Sequence, residues 1–381
     1  MAHDETNRRW PNGAERAPRD DTPFDPATER ALGAALDQSW REGGAPGAIV
    51  GLWVPGKGAF TAIRGTADTD SRVPPLYTHH TRVGSITKTF TVTAALAIAD
   101  FGDLFLNTQF FDQKISLWFS PYFPKADQIT VGMLANMSSG IANYTDDPTW
   151  QKSYFDDPTQ EFDPKELVAI GRSLPRTFEP PGASFHYSNT NTLMLGTIIE
   201  TVTGMKIGDL MQANIFLPLG MKNTSYPSTN ALPTPCWRGY TTQGNDTTTK
   251  DATNWNPSFT GASGAIISDF DDLRTWAEAL GVGALLTPER QAERLRPPPF
   301  PHDPQHYYCY GVGFNHGWIS HEGSLPGYNT VVGYLPWAKA VAVVMTNADF
   351  DHGDPPHPKK PASTIWAALA KVVTPGNVPE R

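Results

Sequence analysis

The chain has 381 residues, of which 39% are hydrophobic and 18% charged, with 33 glycines and 35 prolines. That length buries one large core or two smaller ones without a disulfide or metal staple, and the Pro and Gly content fits a loop-rich globular enzyme rather than a helical array. With 30 Lys+Arg against 39 Asp+Glu the net charge is −9, which argues against a nucleic-acid binder or a basic membrane-surface protein, and no apolar run approaches the roughly 20 residues of a membrane span.

Residues 1 to about 22 are polar and mixed in charge, so they read as a solvated, disordered tail with no secretory signal. As written this fits a cytoplasmic protein; an exported protein whose leader has been removed would read the same. From Asp25 to Trp40 the spacing is helical and Gly43-Gly44 ends it. Two β-like runs, 48–54 and 59–64, flank Pro55-Gly56-Lys57-Gly58, which is hairpin chemistry. From about Ser85 to Lys250 the pattern is mostly helical. Phe90, Ala94, Ala97, Ile98 and Phe101 share one helix face; so do Leu195, Ile198, Ile199 and Val202, with Gly204 placed to end that helix. Strand patterns return at 307–314, 317–321, 330–335 and 340–346, with Trp337-Ala338-Lys339 as a hairpin turn, and 362–373 reads as a closing helix. The expected division is a tail over 1–23, an α/β domain from 24–84 and 255–381, and a mostly helical domain over 85–254. Cys236 and Cys309 fit no zinc or redox spacing and read as two buried free thiols more readily than as a disulfide.

Three short motifs carry chemistry. In Gly84-Ser85-Ile86-Thr87-Lys88, at a loop-to-helix junction, a lysine three positions after a serine can aim its amine at the hydroxyl and activate it as a nucleophile. In Phe185-His186-Tyr187-Ser188-Asn189, a tyrosine on a rigid loop can relay protons, and an asparagine two residues on can hold a substrate carbonyl and orient the lysine. In His321-Glu322-Gly323-Ser324, at a strand end, the glycine lets a substrate backbone approach, and the N–H of Ser324 can pair with that of Ser85 as an oxyanion hole. Leu325 stands where the second histidine of H-E-x-x-H would be, which excludes the zinc-protease reading. Each motif alone has an ordinary structural counterpart: a solvated helix face, an N-cap asparagine, a strand-end turn.

Together, in this order and with 102 and 134 residues between Ser85, Tyr187 and His321, the motifs resemble the serine β-lactamase and penicillin-binding-protein superfamily. Tyr-x-Asn with His-x-Gly looks like the branch of class C β-lactamases, D-alanyl-D-alanine carboxypeptidases, D-aminopeptidases and lactamase-like esterases. Further echoes are Thr130-Val-Gly-Met-Leu-Ala-Asn-Met-Ser-Ser-Gly-Ile, Phe178-Glu-Pro-Pro-Gly, Leu217-Pro-Leu-Gly-Met, Gly261-Ala-Ser-Gly-Ala-Ile-Ile-Ser and Gly323-Ser-Leu-Pro-Gly-Tyr, so the likeness covers roughly residues 25 to 373.

The resemblance implies an α+β fold, a five-stranded antiparallel sheet flanked by N- and C-terminal helices with an inserted helical domain. It implies that Ser85 is acylated, that Lys88 and Tyr187 share base and acid duty, and that Asn189, His321, Gly323 and Ser324 bind substrate, with no cofactor and no metal. His321 replaces the lysine of class C lactamases, and a neutral histidine is a poor partner for a substrate carboxylate, so efficient β-lactam hydrolysis is disfavoured. The expected partner is a small-molecule, peptide or ester substrate, with no nucleic acid and no membrane span; the oligomeric state is not legible. The expected activity is a D-alanyl-D-alanine carboxypeptidase or related D-amino-acid peptidase. The alternatives are a carboxylesterase or acyltransferase, and a sensor that binds β-lactams or peptides without turnover.

Overall fold

The computed structural model describes residues 9–16, 19–101, 110–119, 123–244, 248–351 and 359–380. Helix α1, Pro26–Gly43, starts where the Asp25 carboxylate accepts the N–H groups of Ala27 and Thr28 and ends at Gly44, whose φ of 68° suits a residue without Cβ. Strands β1 (Gly47–Val54) and β2 (Gly58–Gly65) form the expected hairpin. The central helices are α2 (Thr87–Phe101), α3 (Asn189–Thr203) and α4 (Phe270–Val282). Strands β3 (His306–Tyr308), β4 (Gly313–Asn315), β5 (Trp318–Leu325), β6 (Tyr328–Leu335) and β7 (Ala340–Thr346) follow, and helix α5, Pro361–Val373, closes the fold.

The strands make one antiparallel sheet in the order β2-β1-β7-β6-β5-β4-β3. The α+β class is as expected, but the sheet has seven strands rather than five. The run 307–314 is not one strand. It breaks at Cys309–Val312, where Gly311 (φ 70°) packs so closely on α2 that a Cβ there would lie 2.6 Å from Val92, and the two halves pair as β3 and β4. Strand β5 also runs four residues past His321, carrying the third motif inside the sheet.

Both faces of the sheet are covered, which is why β1 reads as an unbroken apolar run. Ala48, Val50 and Leu52 pack with Leu32 and Leu36 of α1 and Ile365, Trp366 and Leu369 of α5, while Ile49 and Trp53 face the layer containing Leu273 and Trp276 of α4. Each fully buried leucine here stabilises by about 2–3 kcal/mol relative to exposure. That second core continues through α2 and α3. Helix α2 is buried all round at its start, and its threonines make this tolerable: Thr87 Oγ1 accepts from the Ile266 N–H, and Thr89, Thr91 and Thr93 donate to backbone carbonyls.

The expected solvated tail is corrected in part. Residues 1–8 and 17–18 lie outside the described residues, but Trp10 is buried with the Arg16 guanidinium 4.5 Å over its ring, Asn12 Nδ2 donates to the Gly283 carbonyl, and Asp21 pairs with Arg274 at 2.7 Å. Cys236 and Cys309 are both free thiols. None of the described helices is long and apolar enough to cross a membrane.

Candidate active site

Ser85 sits in a single 3-10 turn, Gly84–Ile86, that leads directly into α2. The turn is pressed against β5. A Cβ at Gly323 would lie 1.8 Å from the Val83 carbonyl oxygen and 3.1 Å from the Ser85 nitrogen, and one at Gly84 would lie 2.7 Å from the Ser324 nitrogen. The element that requires glycine at 323 is therefore the turn that carries Ser85. The same contact places the Ser324 backbone beside that of Ser85.

Lys88, one helical turn on, has no exposed surface. Its Nζ lies 2.9 Å from Ser85 Oγ, 2.7 Å from Asn189 Oδ1 and 2.9 Å from the Ser263 carbonyl oxygen. Burial without a carboxylate partner pushes the amine well below the ordinary lysine range. The two oxygens of Asn189 and Ser263 only accept hydrogen bonds, so a neutral amine spends both N–H groups on them and its lone pair faces Ser85 Oγ.

Tyr187 precedes Ser188, the residue that starts α3, and Asn189 is the first residue of that helix. The loop after Thr130 braces them: Ser188 Oγ and Thr190 Oγ1 both donate to the Ala142 carbonyl, and the Asn189 N–H donates to Asn143 Oδ1. The Tyr187 ring faces Lys88 Nζ at 4.8 Å, with its hydroxyl beside Ser85. Burial raises the phenol above its ordinary range as it lowers the Lys88 amine, so for both groups it favours the uncharged form.

His321 is 7% exposed, and burial together with nearby Lys88 pushes its imidazolium down to about 3. Its Nδ1 lies 2.6 Å from the Glu322 carbonyl and therefore carries the proton; Nε2 accepts the Tyr308 hydroxyl at 3.0 Å. Tyr308 stands edge-on to Tyr187 with ring centroids 5.9 Å apart. The side chains of Ser85, Lys88, Tyr187, Asn189 and His321 thus converge, with the Ser324 backbone beside Ser85, while Ser263, Tyr308 and Asn143 are not among the residues that the motifs single out. Ser263 contributes only a carbonyl, which has no side-chain signature, although it lies in the Gly261-Ala-Ser-Gly echo.

Two cavities meet at Ser85 and Ser324. One, of about 470 Å³, is lined by Asn189, Ser263, Asp146 and an aromatic wall that includes Trp150, Phe155 and Phe259. The other, of about 1170 Å³, is lined by Tyr187, Tyr308 and His321 and extends past the sheet edge to α1 and α5. Among the described residues no group of three or more His, Cys, Asp or Glu side chains is placed to hold a metal ion.

This geometry can be set beside known proteins. A D-aminopeptidase from Brucella anthropi is 26% identical over 225 residues, covering 58% of this chain and 40% of that protein. Protein flp from Staphylococcus aureus is 27% identical over 220 residues, 57% of this chain and 42% of that protein. The chain thus matches about two fifths of the length of these curated relatives. Among solved structures, a D-stereospecific amidohydrolase from Streptomyces sp. superposes with a TM-score of 0.76 at 28% identity, over 91% of this chain and 99% of that one. The D-amino acid amidase from Ochrobactrum anthropi SV3, complexed with L-phenylalanine amide, does so with a TM-score of 0.76 at 25% identity, over 91% and 97%. The model of the Beta-lactamase family matches residues 32–360, and the chain belongs to that family.

Proposed function

We propose that this protein is a serine hydrolase that acts through an acyl-enzyme on amides or peptides of D-amino acids. The observation that carries the reading is the placement of Lys88 Nζ, 2.9 Å from Ser85 Oγ, with its remaining hydrogen bonds committed to oxygens that can only accept.

In the first half-reaction Lys88 takes the Ser85 proton as Oγ attacks the acyl carbon, and the N–H groups of Ser85 and Ser324 receive the developing oxyanion. Tyr187 gives its proton to the leaving nitrogen as the C–N bond breaks, and the Lys88 ammonium returns a proton to Tyr187, restoring both groups. In the second half-reaction water replaces the amine: its proton passes to the same groups, the ester to Ser85 breaks, and Ser85 Oγ is reprotonated. Asn189 holds Lys88 in place, and His321, neutral and committed to Tyr308 and Glu322, supplies no cation. The names of the amidohydrolase, amidase and aminopeptidase relatives support D-amino-acid amides as the substrate class.

A rate panel tests this: a D-amino-acid amide, its L enantiomer, p-nitrophenyl acetate and nitrocefin, each with the native protein and Ser85→Ala. The reading expects the D-amide to have the highest kcat/KM of the amides and nitrocefin to be slow. Preference for the L-amide, or rapid nitrocefin turnover, would reassign the substrate class.

A further inference from the structure

The Ser324 N–H, which receives the oxyanion in the proposed reaction, lies where strand β5 is paired along one edge only. The register of β5 with β6 runs to Leu325, whereas its register with β4 stops at Ser320. From His321 onward the other edge of β5 meets the turn that carries Ser85, where a Cβ at Gly84 would lie 2.7 Å from the Ser324 nitrogen. The direction of this N–H therefore depends on what holds the Gly323–Ser324 peptide from the β6 side.

A buried asparagine on β6 does so. Asn329 has no exposed surface. Its Nδ2 donates to the Gly323 carbonyl and to Glu322 Oε1, each at 3.0 Å, and its Oδ1 accepts the Ala362 N–H at 2.8 Å. These three bonds fix the amide in one orientation, because turned over it would set an oxygen against two acceptors and an N–H against a donor. Ala362 is the second residue of α5, so its N–H is one of those that a helix leaves unpaired at its start. The first turn of α5 thus holds the amide that holds the Gly323 carbonyl.

The Gly323–Ser324 peptide is trans, and a trans peptide points its carbonyl and its N–H in opposite directions. Anchoring the carbonyl on the β6 side aims the Ser324 N–H toward the open edge and Ser85. A hydrogen bond to the carbonyl also polarises the peptide and strengthens its N–H as a donor. We propose that Asn329 is a positioning residue for the reaction: through the Gly323 carbonyl it sets the direction of the Ser324 N–H, with α5 bracing its amide. This inference rests on the reading of Ser85 as nucleophile and Ser324 as oxyanion donor. An asparagine with a structural role alone would satisfy the buried groups of Glu322 and Ala362 and leave the oxyanion unaffected.

The experiment separates those roles by exchanging donor and acceptor across the bond between Glu322 and Asn329. In the double variant Glu322→Gln, Asn329→Asp the new amide donates to the new carboxylate and its oxygen still accepts Ser363 Oγ, the carboxylate still accepts the Ala362 N–H, and the donation to Gly323 is lost. Asn329→Val, which suits a strand, removes the same donor if the exchanged pair does not fold. Folded protein, verified by urea unfolding, is assayed with p-nitrophenyl acetate and with the thionoester in which sulfur replaces the acyl oxygen. Sulfur accepts hydrogen bonds weakly, so the thionoester gains little from the oxyanion N–H groups and the native protein should prefer the oxygen ester. Loss of the Asn329 donor should lower kcat/KM for the oxygen ester by about tenfold or more and for the thionoester by less than about threefold. Trp10→Ala, a destabilising change far from the site, should keep the native ratio. Equal losses on both esters, or no loss on either, would overturn the proposal and leave the nucleophile in place when native turnover is abolished by Ser85→Ala. Turnover that survives Ser85→Ala, or a native protein without preference for the oxygen ester, would overturn the underlying reading and the role of Asn329 with it.

Discussion

Gly323 and Val83 approach so closely that a Cβ on the glycine would stand 1.8 Å from the Val83 carbonyl oxygen. The turn that carries Ser85 is seated on β5 through that contact, which leaves no room for a side chain at 323. Gly323→Ala should therefore separate the Ser85 turn from Ser324. The expected cost is about 1–3 kcal/mol of stability from overpacking, together with a loss of kcat larger than the loss of fold explains, measured by urea unfolding and ester turnover on the same sample.

The rate should depend on pH through Lys88 and Tyr187. Lys88 acts as a base only when neutral, and burial holds it well below the ordinary lysine range, so kcat/KM should rise with pH through that lowered value and reach its plateau before pH 10.5. Tyr187 must stay protonated, and its raised value puts the alkaline fall at the far end of the profile. Lys88→Met should lower kcat by about 10²–10⁴. A rising limb near pH 6.5 that vanishes in His321→Gln would instead make the histidine the base.

His321 also links pH to stability. Its imidazolium lies at about 3 in the folded protein, against about 6.5 unfolded. Between those values only the unfolded chain takes up the proton, so the contribution is fully present above pH 6.5 and is lost progressively as pH falls toward 3. The native protein should lose about 2–5 kcal/mol more than His321→Gln over that interval. Parallel unfolding free energies for the two proteins across pH 4 to 7 would show that His321 is protonated when folded.

The N-terminal contact offers a test far from the chemistry. Trp10 is buried and covered by Arg16, so Trp10→Ala should destabilise by about 2–4 kcal/mol in urea unfolding. An unchanged midpoint would return residues 9–16 to the role of a solvated tail.

Much of this was legible in the sequence for a physical reason: groups that must act together over one helical turn or one extended dipeptide lie close in the chain. Ser85 and Lys88 show this, as do Tyr187 and Asn189. What was not legible depended on long-range contact. Tyr308 meets His321 only because β3, β4 and β5 fold back on one another, and the short strands His306–Tyr308 and Gly313–Asn315 look like one run until Gly311 is seen packed on α2. Trp10 lay in a segment whose composition is that of a tail, and burial of one indole leaves no periodic pattern.

The central claim is that Ser85 is the nucleophile activated by Lys88, and intact-protein mass spectrometry with peptide mapping after fluorophosphonate treatment tests it most directly. The account predicts one adduct per chain, located on Ser85, absent in Ser85→Ala and formed about 10²–10⁴ times more slowly in Lys88→Met. An adduct that persists in Ser85→Ala, or one formed at the native rate in Lys88→Met, would contradict it.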